Sequence, residues 1–313
     1  MLKRLWRSNA ALTFTGLLML PALAIAAVGL IVDPRIITGA PAWLKPAKFA
    51  ISIAIYVFTL AWSFTLIPEW KKTRSFVGWM TATVMLLELA IIDFQAYRGT
   101  TSHFNFRTPL DGALFGVMGI AIAVQTLTSV AVAIAFWRQN FEDRALGWAL
   151  RLGMTIAIIG AFSGALMTQP TGTQLAAARA GHAMVMGAHT VGATDGGPGI
   201  PGAGWSTEHG DLRVPHFVGM HALQVLPLFV FVLRRRRLST DARVRLTLTA
   251  GGSYVTLFAI LLTQALRGQS VLNTVLSPDP LTIGMFGAWA LITVICGWIS
   301  VTRRALMDSP VVI

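Results

Sequence analysis

Apolar residues run along this chain in long unbroken blocks, not in short alternating ones. Eight blocks are long enough to cross a hydrocarbon core about 30 Å thick as helices of about 20 residues. They fall near 10–32, 47–67, 76–97, 113–137, 146–168, 215–233, 246–266 and 281–301. Backbone N–H and C=O groups in lipid must be satisfied within their own segment, so each block reads as an α-helix. The dyad alternation of a membrane β-barrel is missing. The expected fold class is all-α: a polytopic integral membrane helix bundle of about eight transmembrane helices, built as a single transmembrane domain over 1–313. The first block follows a basic start, MLKRLWR, as a secretory signal would. It continues past the small-residue run ALAIAA to Val32, so we read it as an uncleaved first span, kinked at Pro21. Gly160 and Gly164 stand at a spacing that lets two helix backbones approach closely. Gln125 and Gln264 read as hydrogen-bond links to neighbouring helices.

The polar positions break this pattern most strongly over 169–214, a long loop that caps the bundle on its outer side and runs into the sixth span at Pro215. The stretch Gly181 to Gln224 holds five of the six histidines: His182, His189, His209, His216 and His221. The sixth, His103, lies in the link between the third and fourth spans. The run GATDGGPGIPGAG lacks the strand–turn–helix context of a phosphate cradle and reads as turns.

Composition agrees with a lipid environment. The chain is 55% hydrophobic and 12% charged, against about 25% charged for soluble proteins. The net charge of +12 does not point to nucleic acid, because the cations alternate between the two sides. With the N-terminus inside, 17 of the 25 Lys and Arg fall on the inner side, led by Arg234–Arg237. That bias orients both termini to the cytoplasm. The compact loops and the bias fit a bacterial-type cytoplasmic (inner) membrane. The expected partners are the lipid bilayer and a small molecule, with no nucleic acid; the oligomeric state is not readable. Trp43 and Lys45 read as interfacial anchors. The one cysteine, Cys296, allows no intrachain disulfide and no cysteine metal motif.

The candidate chemistry sits on the outer side. Glu88 and Asp93, in the third span, are the catalytic candidates. At 1.5 Å per helical residue, Glu88 lies about 15 Å and Asp93 about 7 Å below the outer helix end. His221 and Gln224 lie about 9 and 13 Å into the sixth span, at matching depths. If the third and sixth spans are neighbours, these four residues form one polar cluster. A carboxylate at the depth of Glu88 costs about 2.5–3.5 kcal/mol to insert, so it needs a partner or a function. The bland reading is a hydrogen bond between helices, and Asp93 has a bland reading of its own in an ion pair with Arg98.

His216, His221 and Gln224 are the cofactor-binding candidates, because haem needs an axial histidine inside a span. His182, His189 and His221 are the metal candidates; His182 and His189 share a face if their segment is helical. HExxH and related zinc patterns are absent. His103, Arg107, Glu208 and Asp211, with Asp111 and Arg213, are candidates for a charged lid contacting substrate. These residues lead to an outward-facing His/carboxylate pocket binding a metal ion or haem for redox or hydrolytic chemistry. A proton-coupled transporter using Glu88 is the second expectation, and a non-catalytic assembly or sensor subunit the third. No motif of a known family matches residue by residue.

Overall fold

The structure, a computed structural model, describes residues 1–182, 184–272, 275 and 279–302. Arg303 and Arg304, counted above at the inner end of the last span, lie outside the described residues. The fold is an all-α polytopic bundle. Its helices are α1 Leu2–Ser8, α2 Ala10–Val32, α3 Leu44–Phe64, α4 Lys71–Tyr97, α5 Pro109–Arg138, α6 Arg144–Ser163, α7 Gly172–Arg179, α8 Arg213–Met220, α9 Ala222–Arg234, α10 Thr240–Leu266 and α11 Pro280–Thr302. Seven of these are long and apolar enough to cross a membrane, and α8 with α9, bent by 49° at the break between them, passes the same test as a pair, as a broken span or a re-entrant loop. The architecture is that of a multi-pass membrane protein.

Helix starts are set by side-chain caps that occupy otherwise orphaned N–H groups. Asn9 caps α2 by accepting from Leu12 N (3.0 Å), and its Nδ2 donates to Arg74 O (2.8 Å), tying the start of α2 to the start of α4. Thr108 caps α5 with Pro109 in its first turn, Asp143 caps α6 and Ser239 caps α10. The links 65–70, 98–108 and 139–143 are short, so α3 to α6 pack as antiparallel neighbours. The bundle continues from α6 to α8–α9 and α10, with α11 packed on α10 at the edge. Gln125 joins α5 to α4 through Thr81 Oγ1 (2.9 Å), as the sequence led us to expect.

The sequence also led us to expect one continuous sixth helix starting at Pro215. Instead, α8 begins at Arg213 and breaks at His221. At the break Val218 O accepts from His221 N (3.2 Å) and also from Tyr254 Oη (2.6 Å), which ties the bend to the helix that carries Tyr254. The glycines of α6 face this bent pair. A Cβ on Gly160 would stand 2.5 Å from Gly219 C, and one on Gly153 would stand 2.9 Å from Ala222 O. Gly164 lies against the His216 ring. The close backbone approach expected of Gly160 and Gly164 is thus realised at Gly160, with α8 as the partner, while Gly164 makes room for a side chain. The fifth span ends as a 3₁₀ turn, Gly164–Thr168.

Candidate functional site

Two irregular segments close the bundle above α3, α5, α6 and α8. The first is the 98–108 link. Its residues Phe104 and Phe106 exchange backbone hydrogen bonds with Met186 N and Met184 O, both 3.0 Å. Phe104 has φ 58°, a left-handed conformation that costs a non-glycine residue about 1–2 kcal/mol. In extended backbone, neighbouring side chains point to opposite faces. The turn at Phe104 instead sends His103 and Phe104 the same way, so that both rings pack on Phe115, with centroids 6.0 and 5.4 Å away. Phe49 of α3 closes on His103 from another side (6.3 Å), and Ser102 Oγ lies 3.1 Å from His103 Nδ1.

The second segment is the long loop. Thr190–Val191 pairs with Gly210–Asp211, which makes the loop a closed unit. Lys48 Nζ holds it by donating to Ala203 O (2.8 Å) and Arg213 Nη2 by donating to Gly204 O (2.5 Å). Inside it, Asp195 accepts from the backbone N–H of His189 (3.0 Å) and of Thr190 (2.9 Å), and from His189 Nδ1 at 2.5 Å. The His189 ring packs edge-on against Phe104, 4.9 Å between centroids.

The tautomers follow from these partners. A carbonyl oxygen can only accept, so the 2.7 Å contact between His216 Nδ1 and Gly160 O places the proton on Nδ1. A carboxylate likewise fixes the proton on His189 Nδ1. Both rings then present an unprotonated Nε2. This is the arrangement in which a carbonyl or carboxylate orients an imidazole for use as a base or ligand. Burial pushes the His189 imidazole below the ordinary histidine range, against the pull of Asp195. Burial pushes His103 further down, helped by the charge of Lys45 and by His189. Asp195 is also buried, which alone would raise its pKa. The hydrogen bonds and charge of His189 outweigh that and hold the carboxyl well below the usual carboxylate range.

His103, His189 and His216 act on one another electrostatically, and Lys45 acts on His103 and His189. The three histidines and Lys45 are enclosed by protein, yet none is fully buried by accessible area. We take these partly accessible side chains, with the region between them, as the candidate recess. Glu88 lies deeper. It is 2% exposed, its Oε1 has no hydrogen-bond partner, and Lys45 is the cation whose field reaches it. Lys45 itself makes no hydrogen bond or ion pair among the described residues and sits 5.9 Å from the Phe49 ring.

Several expected groupings do not form. The principal neighbours of α4 are α5, α3 and α2, whereas α8 packs on α6 and α10. Glu88 and Asp93 therefore do not join a cluster with His221 and Gln224; the short links placed α3 and α5 beside α4 first. Asp93 Oδ1 and Gln224 Oε1 are each buried without a partner, on separate helices. His221 occupies the helix break, its ring 4.2 Å from that of Phe217. The helix over 172–179 ends before His182, so His182 and His189 share no helical face: His182 is exposed and His189 turns in. Among the described residues, no three His, Cys, Asp or Glu side chains converge closely enough to hold a metal ion.

The lid also divides differently. Arg107 and Glu208 are exposed. Asp211 is buried and bonded to Arg213 (2.6 Å) and Ser206 N (2.8 Å), which shapes the loop. Arg98 pairs with Asp111 (2.6 Å) and Gln95 (2.5 Å), not with Asp93. Of the lid set, His103 alone enters the recess. Lys45 and Asp195 were not singled out from the sequence as site residues. Asp195 is the one carboxylate inside the Gly/Pro run, and that isolation was its signal.

Comparison with protein-family models, with characterised proteins and with solved structures finds no match for this chain.

Proposed function

We propose that the protein is a proton-coupled membrane protein that takes a small polar ligand into this recess from the face opposite its termini. Carrying this reading is the pair Lys45 and Glu88. An amine and a carboxyl, of opposite charge when ionised, act on one another inside the bundle, and neither side chain has its hydrogen bonds satisfied. An ionisable group inside a membrane bundle marks a substrate or proton path. A ligand with an anionic group for Lys45 and a donor for Glu88 would complete both. His103, together with His189 and His216 whose Nε2 lone pairs are set by their Nδ1 partners, would relay protons between the outer face and Glu88. The charge bias supports cytoplasmic termini, an outer-facing recess and a bacterial-type inner membrane as part of this reading.

The test is proton flux in proteoliposomes carrying a trapped pH dye, with candidate solutes added outside. Solute-dependent acidification that disappears in Glu88→Gln, while the variant inserts normally, supports the reading. Acidification that persists in Glu88→Gln overturns it.

A second reading uses the same histidines as ligands. His189 and His216 carry the oriented Nδ1–H typical of metal- or haem-bound imidazoles. Redox or hydrolytic chemistry at a metal ion or haem would then replace transport. An absorption spectrum and elemental analysis of the purified protein separate the two: a Soret band, or a stoichiometric metal lost in His216→Ala, favours this second reading.

A further inference from the structure

The opposite end of the bundle carries a second feature that the recess does not involve. Helix α1 is amphipathic: Leu2, Leu5 and Trp6 share one side, while Lys3, Arg4 and Arg7 are exposed on the other. Its apolar side and the last turns of α3 enclose an open groove of about 530 Å³, lined by Met1, Leu2, Leu5, Phe58, Thr59 and Trp62. That volume falls within the range of small-molecule clefts, about 300–1,000 Å³. The Thr59 hydroxyl is turned back onto Ile55 O (2.7 Å), which leaves its methyl to the groove.

The groove wall connects directly to the strongest cationic run of the chain. The Trp62 ring packs on Phe231, 5.6 Å between centroids, and the Arg234 guanidinium sits 5.0 Å over that same Phe231 ring. Arg235, Arg236 and Arg237 follow, all exposed. Two aspartates at this end are already taken, Asp143 by Arg234 (2.8 Å) and Asp241 by Arg144 (2.9 Å), while Glu69 and Glu142 in the links are exposed and form no ion pair among the described residues. Among the described residues, Lys3, Arg4, Arg7, Arg235, Arg236 and Arg237 make no ion pair.

We infer that this groove binds one anionic phospholipid of the adjoining leaflet. An acyl chain would lie between α1 and α3 against Leu5, Phe58 and Trp62, and the headgroup phosphate would be held by Arg235–Arg237 with the basic face of α1. Two observations that are separate in the sequence support a lipid over a polar ligand or a protein segment: the groove walls are apolar, and six unpaired cations stand at this end against two unpaired carboxylates. Juxtamembrane arginines gain about 1 kcal/mol each from anionic headgroups, so three of them set a preference of up to about 100-fold.

The experiment is native mass spectrometry of the full chain in detergent, titrated with phosphatidylglycerol or phosphatidylcholine of identical acyl chains. We expect a single tight phosphatidylglycerol adduct, favoured over phosphatidylcholine by about 10- to 100-fold. The surface triple substitution Arg235→Gln, Arg236→Gln and Arg237→Gln should bring that preference down to the phosphatidylcholine level. Thr59→Trp, which fills the groove and leaves the arginines in place, should remove the adduct of both lipids. Elution profile and thermal midpoint report folding of each variant, and the triple substitution tests the inference even if Thr59→Trp misfolds. Equal retention of the two lipids, a preference that survives the triple substitution, or a tight adduct retained by folded Thr59→Trp overturns the inference.

Discussion

Replacing Gly160 by alanine tests the contact on which the histidine geometry depends. The added Cβ would stand 2.5 Å from Gly219 C and 2.6 Å from both Gly219 Cα and Met220 N. All three are backbone atoms, so no side chain can swing aside. Helices α6 and α8 would have to separate by about an ångström, and overpacking of this kind costs about 1–3 kcal/mol. The same shift stretches the 2.7 Å bond from His216 Nδ1 to Gly160 O, which is worth about 0.5–1.5 kcal/mol. Alanine returns about 1 kcal/mol through helix propensity. The net expectation is a loss of about 1–3 kcal/mol, since the repulsive terms outweigh the propensity gain. Gly252→Ala is the control: nothing lies within 4 Å of its added Cβ, so propensity alone acts and the variant should be as stable as the parent or up to about 1 kcal/mol more so. Reversible unfolding in mixed detergent micelles reads both. A ¹⁵N spectrum of the His216 ring adds a local readout, because the Nδ1–H signal should broaden or move in Gly160→Ala alone. If Gly160→Ala unfolds together with or after Gly252→Ala, the α6–α8 packing argued above is wrong.

Three further outcomes are expected. Asp195→Ala removes the acceptor shared by His189 N, Thr190 N and His189 Nδ1; hydrogen exchange at His189 and Thr190 should accelerate by an amount equivalent to about 1.5–3 kcal/mol, and unchanged exchange there would refute the loop geometry. Folded His103 and His189 hold their imidazoles below the ordinary histidine value of about 6.5, so just under that pH the unfolded chain binds more protons and stability falls as pH drops. The thermal midpoint of the parent should therefore fall relative to that of His103→Phe between about pH 7.5 and about pH 5, and parallel profiles of the two would contradict the neutral assignment. Asp111→Ala removes the carboxylate that Arg98 and Gln95 share, leaving Arg98 only Gln95 Oε1, and should cost about 1–3 kcal/mol, moderated by the partial exposure of Arg98, in the same unfolding assay.

The helices were legible because lipid imposes one rule on every span: length and apolarity suffice to find it. Gly160 and Gly164 could be read for the same reason, since close packing in a bundle demands small residues whichever helix arrives. The partner could not be read, because α8 reaches α6 only after a loop of more than forty residues, and no local pattern encodes that docking. The break at His221 was missed because nothing in HFVGMHALQ departs from helical composition; the bend is stabilised from outside, by Tyr254 on α10. Depth matching put Asp93 level with His221, yet depth fixes only one coordinate of three. Lateral order came from the short links, which surround α4 with α3 and α5 and so give Glu88 its field from Lys45.

The recess also differs from a cluster of residues on one pair of helices in how it is held. His103 is positioned by a left-handed backbone at Phe104, His189 by a carboxylate six residues along its own loop, and His216 by a carbonyl on a different helix. Each ring is oriented by a separate structural unit. His216 rides on α8, above the 49° bend, while His189 rides on a loop pinned to α3 by Lys48 and to α8 by Arg213. Moving α8 at the bend would shift His216 and at the same time stretch its 2.7 Å bond to Gly160 O on α6, so the position of this ring and its tautomer are set by one contact.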